Sequence, residues 1–313
     1  MAASPRELDV SVLVPAYRRP LDLERCLRAL AGQSRRPQQV VVVVRDDDGE
    51  TRAVAGAAAA WLPNLEQVVV TAPGQVHALN RGLAAARGDV VAITDDDAAP
   101  RPDWLARIVE IFAADARVGG VGGRDWVHHG GRIEDGVSLT VGQLQWFGRC
   151  IGNHHLGAGA PRDVHFLKGA NMSYRRAAIE GLAFDARLRG AGAQVCNDMA
   201  FSLAVRRRGW RVVYDPLVAV DHYPAERFDD DRRDQVSFGA HCNAAFNQAL
   251  VVCESLGPLR SLAFFCWAVA VGTRSTPGVL QFARLCASGP RNAARRTCAA
   301  IKGTFEGWQA ALS

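Results

Sequence analysis

Three consecutive aspartates, Asp95, Asp96 and Asp97, are the residues of this sequence best suited to chemistry. They follow the apolar segment 89–94, which has the pattern of a buried strand, and a helix is predicted to begin near Pro102. Adjacent carboxylates repel one another, so burying them together is costly unless a cation or solvent relieves the repulsion. Mg²⁺ or Mn²⁺, held by one or two carboxylates and by substrate phosphates, would do this. The alternative for an isolated run of three is a solvated turn that caps the next helix.

Strands and helices alternate through the first hundred residues. Valine-rich segments predict strands, and apolar residues at helical spacing predict the helices between them. The predicted strands are 10–14, 40–44, 66–71 and 89–94, and the predicted helices are 21–32, 51–61 and 75–87. This order is typical of an α/β fold with a parallel sheet and helices on both faces.

Polar or glycine-containing segments follow all four predicted strands. Ala16 and Tyr17 follow the first strand, the aspartates at 46–48 follow the second, a loop with Gly74 follows the third, and the aspartates at 95–97 follow the fourth. Parallel strands present their carboxyl ends at one edge of a sheet, where open α/β sheets bind their ligands. We therefore expect these segments to meet in one crevice.

Composition and charge exclude several classes of protein. The net charge of +5 is mild and is not gathered in one long run, so it does not argue for a nucleic-acid partner. The eight cysteines form no C-x-x-C pair, which gives no zinc or redox motif and favours a reducing compartment. The first ten residues lack the basic and apolar regions of a signal peptide, so we expect a cytoplasmic protein.

The segment 119–123 is rich in glycine but does not follow the first strand, which argues against a dinucleotide-binding loop. Glycine and histidine recur through 119–159 and predict loops around a site.

The chain beyond residue 226 is predicted to be helical. The predicted helices are 235–256, 259–271, 277–286 and 292–309. The apolar run 262–272 is shorter than the ~20 residues that cross a bilayer, so a buried core helix is the favoured interpretation. An in-plane helix that contacts a membrane or a partner is the alternative. The basic residues of the last helix are interpreted as a solvated face or as a contact with anionic lipid at the inner face of the membrane.

Four segments together resemble the family-2 glycosyltransferases, an inverting group with the GT-A fold. In order they are VSVLVPAYRRPLDLERCLRAL, GDVVAITDDDAAPRPDWL, FLKGANMSYRRAAI and NDMAFSLAVRRRGWRVVYDPLVAVDHYP. Each is weak alone, but four in the same order and at similar spacing are a specific signal. The resemblance implies a GT-A type α/β fold with a mostly parallel sheet flanked by helices. Residues 1–225 would then form a nucleotide-sugar-binding glycosyltransferase domain and residues 226–313 a C-terminal helical region.

The resemblance also implies roles for the matching residues. Asp198 would be the general base, and Asp97 and His222 would hold a divalent metal, Mn²⁺ or Mg²⁺, on the donor diphosphate. The donor and its nucleotide would contact Ala16, Tyr17, Asp47, Asn80, Asp95, Asp96 and Gly169. The choice of Asp47 among the three aspartates at 46–48 is uncertain by one position. Asn197 stands where the family often has an acid, but one carboxylate within reach of the hydroxyl is enough for a base.

The expected reaction is a single in-line displacement with inversion at the anomeric carbon. The donor would be a UDP-, GDP- or dTDP-linked sugar, and the acceptor a saccharide or a lipid-linked saccharide in polysaccharide or glycoconjugate synthesis.

Two alternatives to a glycosyltransferase stay open. A nucleotidyltransferase usually has a glycine-rich basic loop after the first strand, whereas PAYRRP has arginines and no glycine. A protein that binds nucleotide sugars without catalysis is favoured only by Asn197.

Overall fold

The structure, a computed structural model, describes residues 7–226, 228, 237–287 and 289–313. Its first half alternates strands and helices as predicted. The elements are β1 (Val10–Ala16), α1 (Pro20–Ala31), β2 (Gln39–Arg45), α2 (Gly49–Ala58), β3 (Leu65–Val70), α3 (Gln75–Ala85) and β4 (Val90–Ile93). The strands β3, β2, β1 and β4 lie side by side and are parallel.

Buried valines and leucines explain why this part of the chain folds as a layered sheet. β1, β2 and β4 are buried along almost their whole length. Apolar clusters cover both faces of the sheet, and α1 contributes Leu23, Cys26, Leu27 and Leu30 to one of them. Each large apolar side chain that is fully buried contributes roughly 1.5–3 kcal/mol.

The second half of the sheet is mixed. The chain continues through β5 (Ala98–Pro100), α4 (Trp104–Ala114), β6 (Val118–His129), β7 (Arg132–Ile133), β8 (Gln143–Leu144), β9 (Cys150–Ile151), β10 (Arg162–Asp163), β11 (Met172–Arg175), α5 (Arg176–Ile179), α6 (Asn197–Arg207) and β12 (Arg211–His222). Of these strands, β8 and β9 form a separate two-stranded sheet. The order across the sheet is β10-β12-β6-β11-β4-β1-β2-β3. β11 is antiparallel to both β4 and β6, whereas β6 and β12 are parallel.

The glycine-rich segment 119–123 corrects one prediction, because it lies in the first half of the long strand β6 and is not a loop. A Cβ atom at Gly122 would lie 2.7 Å from the carbonyl oxygen of Asn171 on the neighbouring segment. At Gly123 it would overlap the carbonyl oxygen of Val218. These glycines therefore allow the neighbouring backbones to approach closely.

The described part of the C-terminal region contains the helices α7 (Phe238–Ser255), α8 (Pro258–Ala270), α9 (Val279–Cys286) and α10 (Pro290–Leu312). The predicted start of α7 at Gln235 lies outside the described residues. Gly303 and Gly307 let α10 lie directly against the backbone of α7. The favoured interpretation of the run 262–272 as a core helix is wrong, because α8 buries only Ser261 and Phe264. In the part of the chain that the structure describes, no helix combines the length and apolarity needed to span a membrane.

Candidate active site

A crevice of about 560 Å³ lies at the carboxyl edge of the sheet. The loops after β1, β3 and β4 form one wall, and the segments before β11, before α6 and at the end of β12 form the other. The structure thus brings together most of the residues predicted for the site, namely Ala16, Tyr17, Asp95, Asp96, Asp97, Gly169, Asp198 and His222.

Asp96 holds the loop after β1 in place. One of its carboxylate oxygens, Oδ2, accepts a hydrogen bond from the backbone N–H of Tyr17 at 3.2 Å. The other, Oδ1, lies 2.8 Å from a guanidinium nitrogen of Arg19. Burial raises the pKa of Asp96 well above its ordinary value, and Arg19 offsets only part of that effect. Both oxygens of Asp96 are therefore committed to the protein.

Asp97 is buried beside the imidazole of His222 and the guanidinium of Arg19. Its Oδ1 lies 3.3 Å from Nε2 of His222, and its Oδ2 lies 3.4 Å from Arg19. Oδ2 also accepts a hydrogen bond from the N–H of Ala225 at 3.1 Å. Burial acts to raise the pKa of Asp97, but His222, Arg19 and this N–H outweigh it and lower the pKa to about 2. For His222, burial acts to lower the pKa, and Asp97 and the buried Asp125 outweigh it, so the pKa is raised.

The residues Asp97 and His222 fit a divalent cation that takes further ligands from a substrate. Oδ1 of Asp97 and Nδ1 of His222 are buried and have no hydrogen-bond partner among the described residues. Carboxylate oxygens and imidazole nitrogens both bind divalent ions such as Mn²⁺. Within the described ranges, no cluster of three or more His, Cys, Asp or Glu side chains could hold a metal by itself. A cation here would need oxygen ligands such as phosphate, which is how Mg²⁺ is commonly held.

Asp198 lies in the first turn of α6, on the other wall of the crevice. The chain enters this helix through Cys196, which has a left-handed conformation with φ of 72°. Oδ2 of Asp198 accepts a hydrogen bond from the N–H of Gly169 at 2.9 Å, and Oδ1 accepts one from the N–H of Met199 at 2.7 Å. The positive end of the helix dipole also attracts this carboxylate. Its position is therefore fixed by the backbone on two sides.

Gly169 lies between two carboxylates. A Cβ atom built on it would be 3.9 Å from Oδ2 of Asp198 and 4.0 Å from Oδ2 of Asp95. Asp95 accepts hydrogen bonds from Gln75 and from the N–H of Ala170, both at 3.4 Å. Burial raises the pKa of Asp95, and the neighbouring Asp97 adds to the rise. Because Gly169 has no side chain, the space between Asp95 and Asp198 stays open to the crevice.

Asp47 is at the edge of the crevice and contacts one of its walls. Its carboxylate pairs with Arg45 at 2.6 Å and lies 3.4 Å from the hydroxyl of Tyr17. The guanidinium of Arg45 lies 3.7 Å from the centroid of the Tyr17 ring. The next aspartate, Asp48, is buried and caps α2 by accepting a hydrogen bond from the N–H of Thr51 at 3.1 Å. Of these two aspartates, only Asp47 has a carboxylate that reaches Tyr17.

The structure does not place Asn80, a predicted donor contact, among the residues that line the crevice. Its side-chain amide donates to the carbonyl oxygen of Phe184 at 2.9 Å and accepts from the N–H of the same residue at 2.7 Å. Both polar ends of the side chain are used in holding this segment against α3. From the sequence alone, the position of Asn80 on a predicted helix after the loop with Gly74 could not distinguish this structural role from contact with a substrate.

Three charged residues of the site were missed in the sequence. Arg19 pairs with Asp96 and Asp97, and Lys168 lines the crevice and pairs with the fully buried Asp125. Nδ1 of His222 lies 3.9 Å from Asp125, which links this pair to the metal-binding candidates. Arg19 and Lys168 stand inside the motifs quoted above, so their positions were a usable signal. Asp125 follows the glycine-rich segment that was interpreted as a loop, so nothing marked it.

Comparisons with known proteins identify a family and a fold for this chain. Residues 5–235 match a family model described as glycosyltransferase like family 2. An uncharacterised glycosyltransferase of Nostoc sp. is 32% identical over 140 residues, which are 44% of this chain and 40% of that protein. The glucosyl-dolichyl phosphate glucuronosyltransferase of Haloferax volcanii is 24% identical over 236 residues, which are 69% of each chain. The chain therefore spans less than half of the length of the Nostoc relative.

Two solved structures share the fold. The mannosyltransferase PcManGT from Pyrobaculum calidifontis, in complex with GDP-Man and Mn²⁺, has a TM-score of 0.54 at 20% identity, over 98% of this chain and 88% of that chain. GalNAc-T7, with UDP, GalNAc and Mn²⁺, has a TM-score of 0.62 at 14% identity, over 79% of this chain and 48% of that chain. These likenesses confirm the GT-A type fold predicted from the sequence. Because the family model also covers most of its length, the chain belongs to the glycosyltransferase-like family 2.

Proposed function

We propose that this protein is an inverting glycosyltransferase that moves a sugar from a nucleoside-diphosphate sugar to an acceptor hydroxyl. The observation that supports this most strongly is the open space beside Gly169, with Asp198 on one side and Asp95 on the other. The Asp97–His222 pair lies in the same crevice. A base, a sugar-binding acid and a cation-binding pair are the groups that such a transfer needs. In this proposal residues 1–225 bind the nucleotide sugar and residues 226–313 are an added helical region.

The donor fits the wall formed by the loops after β1 and β2. Ala16 and the ring of Tyr17 would lie against the nucleobase, and Asp47 would accept a hydrogen bond from it. A cavity of about 560 Å³ is within the usual range for small-molecule sites. The complexes of PcManGT with GDP-Man and of GalNAc-T7 with UDP support a nucleotide sugar as the donor. UDP-, GDP- and dTDP-sugars are the candidates.

A divalent metal, Mn²⁺ or Mg²⁺, would be held by Asp97 and His222 together with the donor diphosphate. When bound, it would screen the negative charge that develops on the departing diphosphate. The Mn²⁺ present in both related structures supports this choice. Arg19 is fixed by Asp96 and by the carbonyl oxygen of Glu226, so it adds a positive charge beside the same position.

Asp198 would take the proton from the acceptor hydroxyl as the new glycosidic bond forms. Its oxygen Oδ2 is oriented by the N–H of Gly169, and the carboxylate lies across the crevice from the aspartates that follow β4. Attack from that side displaces the diphosphate in line and inverts the anomeric carbon. The proton ends on Asp198, and the electron pair of the broken bond leaves with the diphosphate. General-base catalysis of this kind contributes about 10²–10⁴-fold to the rate.

The acceptor in this proposal is a saccharide or a lipid-linked saccharide, in the synthesis of a polysaccharide or glycoconjugate. The similarity to a glucosyl-dolichyl phosphate glucuronosyltransferase supports a lipid-linked acceptor. The enzyme would work in the cytoplasm, at the inner face of the membrane, with its C-terminal helices in contact with that surface.

A thermal-shift screen of UDP-, GDP- and dTDP-sugars, with and without Mn²⁺, tests the donor and the metal together. A ligand at a hundred times its Kd stabilises the fold by about 2.7 kcal/mol, which is a shift of roughly 5–10 °C for a domain of this size. We expect the preferred donor to give such a shift only with Mn²⁺, and Asp97→Ala to abolish the metal-dependent part. Asp103→Ala removes a partly exposed carboxylate whose ion pair within the described residues is with Arg107, and it serves as the matched control.

Two results would contradict the proposal. If Asp97→Ala kept the full metal-dependent shift, Asp97 would not hold the cation. If the products of turnover included pyrophosphate and no nucleoside diphosphate, the protein would be a nucleotidyltransferase.

A further inference from the structure

The C-terminal helices carry an uneven distribution of charge. Between Glu254 and Glu306 the sequence contains no aspartate or glutamate. The same segment contains seven basic residues: Arg260, Arg274, Arg284, Arg291, Arg295, Arg296 and Lys302. The net charge of the whole chain is only +5, so the remainder of the protein is net negative. The net positive charge of the chain is therefore carried by this one segment.

The same region exposes apolar side chains in a regular pattern. On α8 the exposed residues Leu259, Leu262, Cys266 and Ala270 recur every three or four positions, so they form a single stripe along the helix. Leu259 is 83% exposed and Leu262 is 47% exposed. α9 has no buried residue, and its exposed face includes Val279 and Leu280, at 57% and 64% exposure. We call the α8 stripe and this face of α9 together the C-terminal face.

An aromatic residue from the catalytic domain joins the C-terminal face. Trp146, between β8 and β9, is 67% exposed. Its carbonyl oxygen accepts a hydrogen bond from Nε of Arg260 at 2.6 Å, which places it at the start of α8. The ring of the next residue, Phe147, packs edge-on against Trp267 of α8 at 5.4 Å between centroids. Tryptophan is enriched where a protein surface meets the lipid headgroups.

Six arginines of this region have no carboxylate partner among the described residues. In the residues that the structure describes, no carboxylate forms an ion pair with Arg260, Arg274, Arg284, Arg291, Arg295 or Arg296. Lys302 differs, because it lies 3.8 Å from Glu306. A region that combines exposed apolar side chains with guanidinium groups lacking a described carboxylate partner has the composition of helices that lie in a membrane interface.

Charge and length decide between the possible occupants of this face. A second copy of the chain would bring two acid-free basic surfaces together, which like-charge repulsion opposes. A membrane-spanning helix is excluded for α8, because its 13 residues reach only ~20 Å and the hydrocarbon core is ~30 Å thick. An anionic lipid surface satisfies both features, because the leucines enter the acyl boundary while the arginines meet phosphate headgroups.

We propose that the C-terminal face docks in the plane of an anionic membrane, with α8, α9 and Trp146 at the interface. The hairpin of β8 and β9, which carries Trp146, is also close to Asp198, the proposed catalytic base. Sγ of Cys150, on the strand that follows Trp146, lies 3.6 Å from Sδ of Met199, which is the residue after Asp198. A lipid-linked acceptor held in that membrane would approach the crevice from the side of the base. The docking specifies the membrane contact included in the proposed function, and this last step rests on the proposed transferase activity as well.

Sedimentation of the full-length protein with lipid vesicles tests the docking without any substrate. We expect strong binding to vesicles of phosphatidylcholine mixed with phosphatidylglycerol, weaker binding in high salt, and little binding to phosphatidylcholine alone. Removing two charges in Arg284→Gln/Arg295→Gln should weaken binding about 25-fold, since each arginine at an anionic surface contributes ~1 kcal/mol, or about fivefold. Leu280→Glu should weaken it by about tenfold or more, because a carboxylate replaces a leucine that the lipid buries.

Leu217→Glu is the matched control, because Leu217 is 58% exposed but lies on β12, away from the C-terminal helices. It should bind vesicles as the unaltered protein does. Equal binding to both kinds of vesicle, or unchanged binding by Leu280→Glu, would overturn the proposal. So would a dimer in sedimentation velocity that Leu280→Glu dissolves, since the face would then be a contact between copies. Metal-dependent donor hydrolysis without vesicles is measured alongside, so loss of docking and loss of the transferase are separate results.

Discussion

Replacing Gly169 with alanine is expected to stabilise the protein slightly while slowing sugar transfer strongly. Gly169 is not among the glycines with positive φ, so an alanine can adopt its backbone conformation. The added methyl group would meet Asp198, Asp95 and Met172 at 3.9–4.0 Å, which is ordinary van der Waals contact. A tolerated glycine-to-alanine change stabilises a fold by about 0.4–1 kcal/mol, because it restricts the unfolded chain. We expect a rise in Tm of roughly 1–3 °C.

The same methyl group occupies the space between the two carboxylates where the sugar and the acceptor hydroxyl would meet. A displacement of the reacting groups by about 1 Å costs roughly 10²-fold in rate. We therefore expect kcat to fall by about two orders of magnitude, with a smaller change in the donor-induced thermal shift, because the nucleotide wall at Tyr17 is untouched. The measurements are steady-state transfer or donor hydrolysis, and melting with and without donor.

Gly56→Ala is the matched control for this prediction. Gly56 lies within α2, and a Cβ atom built on it has nothing within 4 Å. It should raise stability by up to ~1 kcal/mol and leave activity unchanged. If Gly169→Ala transferred sugar at the normal rate, the space beside Gly169 would not be where the reaction takes place. If it melted well below the unaltered protein, the contacts derived for its side chain would be wrong.

Two further changes test the neighbouring groups. Asp198→Asn keeps the size of the side chain and an oxygen that can accept the hydrogen bond from the N–H of Gly169. We therefore expect kcat to fall by about 10²–10⁴-fold while the donor-induced thermal shift is retained. Loss of both activity and thermal shift would assign Asp198 to donor binding. Lys168→Met leaves Asp125 as a buried carboxylate without its main partner, so the free energy of unfolding should fall by ~3 kcal/mol, the low end for buried pairs because Lys168 is partly exposed. Chemical denaturation measures this loss of stability, and the double variant Lys168→Met/Asp125→Asn should recover much of it. If the single and the double variant lost the same stability, the unpaired charge of Asp125 would not be the cause.

The sheet edge could be predicted from the sequence because it depends on local patterns. The five valines of β2 can only be buried on both faces, and strands buried in this way alternate with helices in a parallel sheet. Once the four strands are parallel, their carboxyl ends meet without any further assumption. This is why Tyr17 and the aspartates at 95–97 are found together in the crevice.

Other features depend on contacts between distant parts of the chain. Glycines normally weaken a strand, so the pattern of 119–123 gave no indication that β6 approaches the carbonyl oxygen of Val218. The apolar residues of α8 would look the same in a core helix and in an interfacial helix, because only the neighbours decide which face is covered. The amide of Asn80 likewise acquires its role from Phe184, which is far away in sequence.

Asn197 is the residue at which the sequence departs from the family pattern, and its contacts argue against loss of catalysis. Its side-chain amide donates to the carbonyl oxygens of Ala193 and Gln194 at 3.0 and 3.1 Å. An aspartate here would turn a negative charge toward two acceptors, and the burial of Asn197 would add to the cost. Gln194 in turn accepts a hydrogen bond from the N–H of Val76 in the first turn of α3. Asn197 thus holds the rim of the crevice, and the hydrogen bonds that orient Asp198, the proposed base, do not involve it.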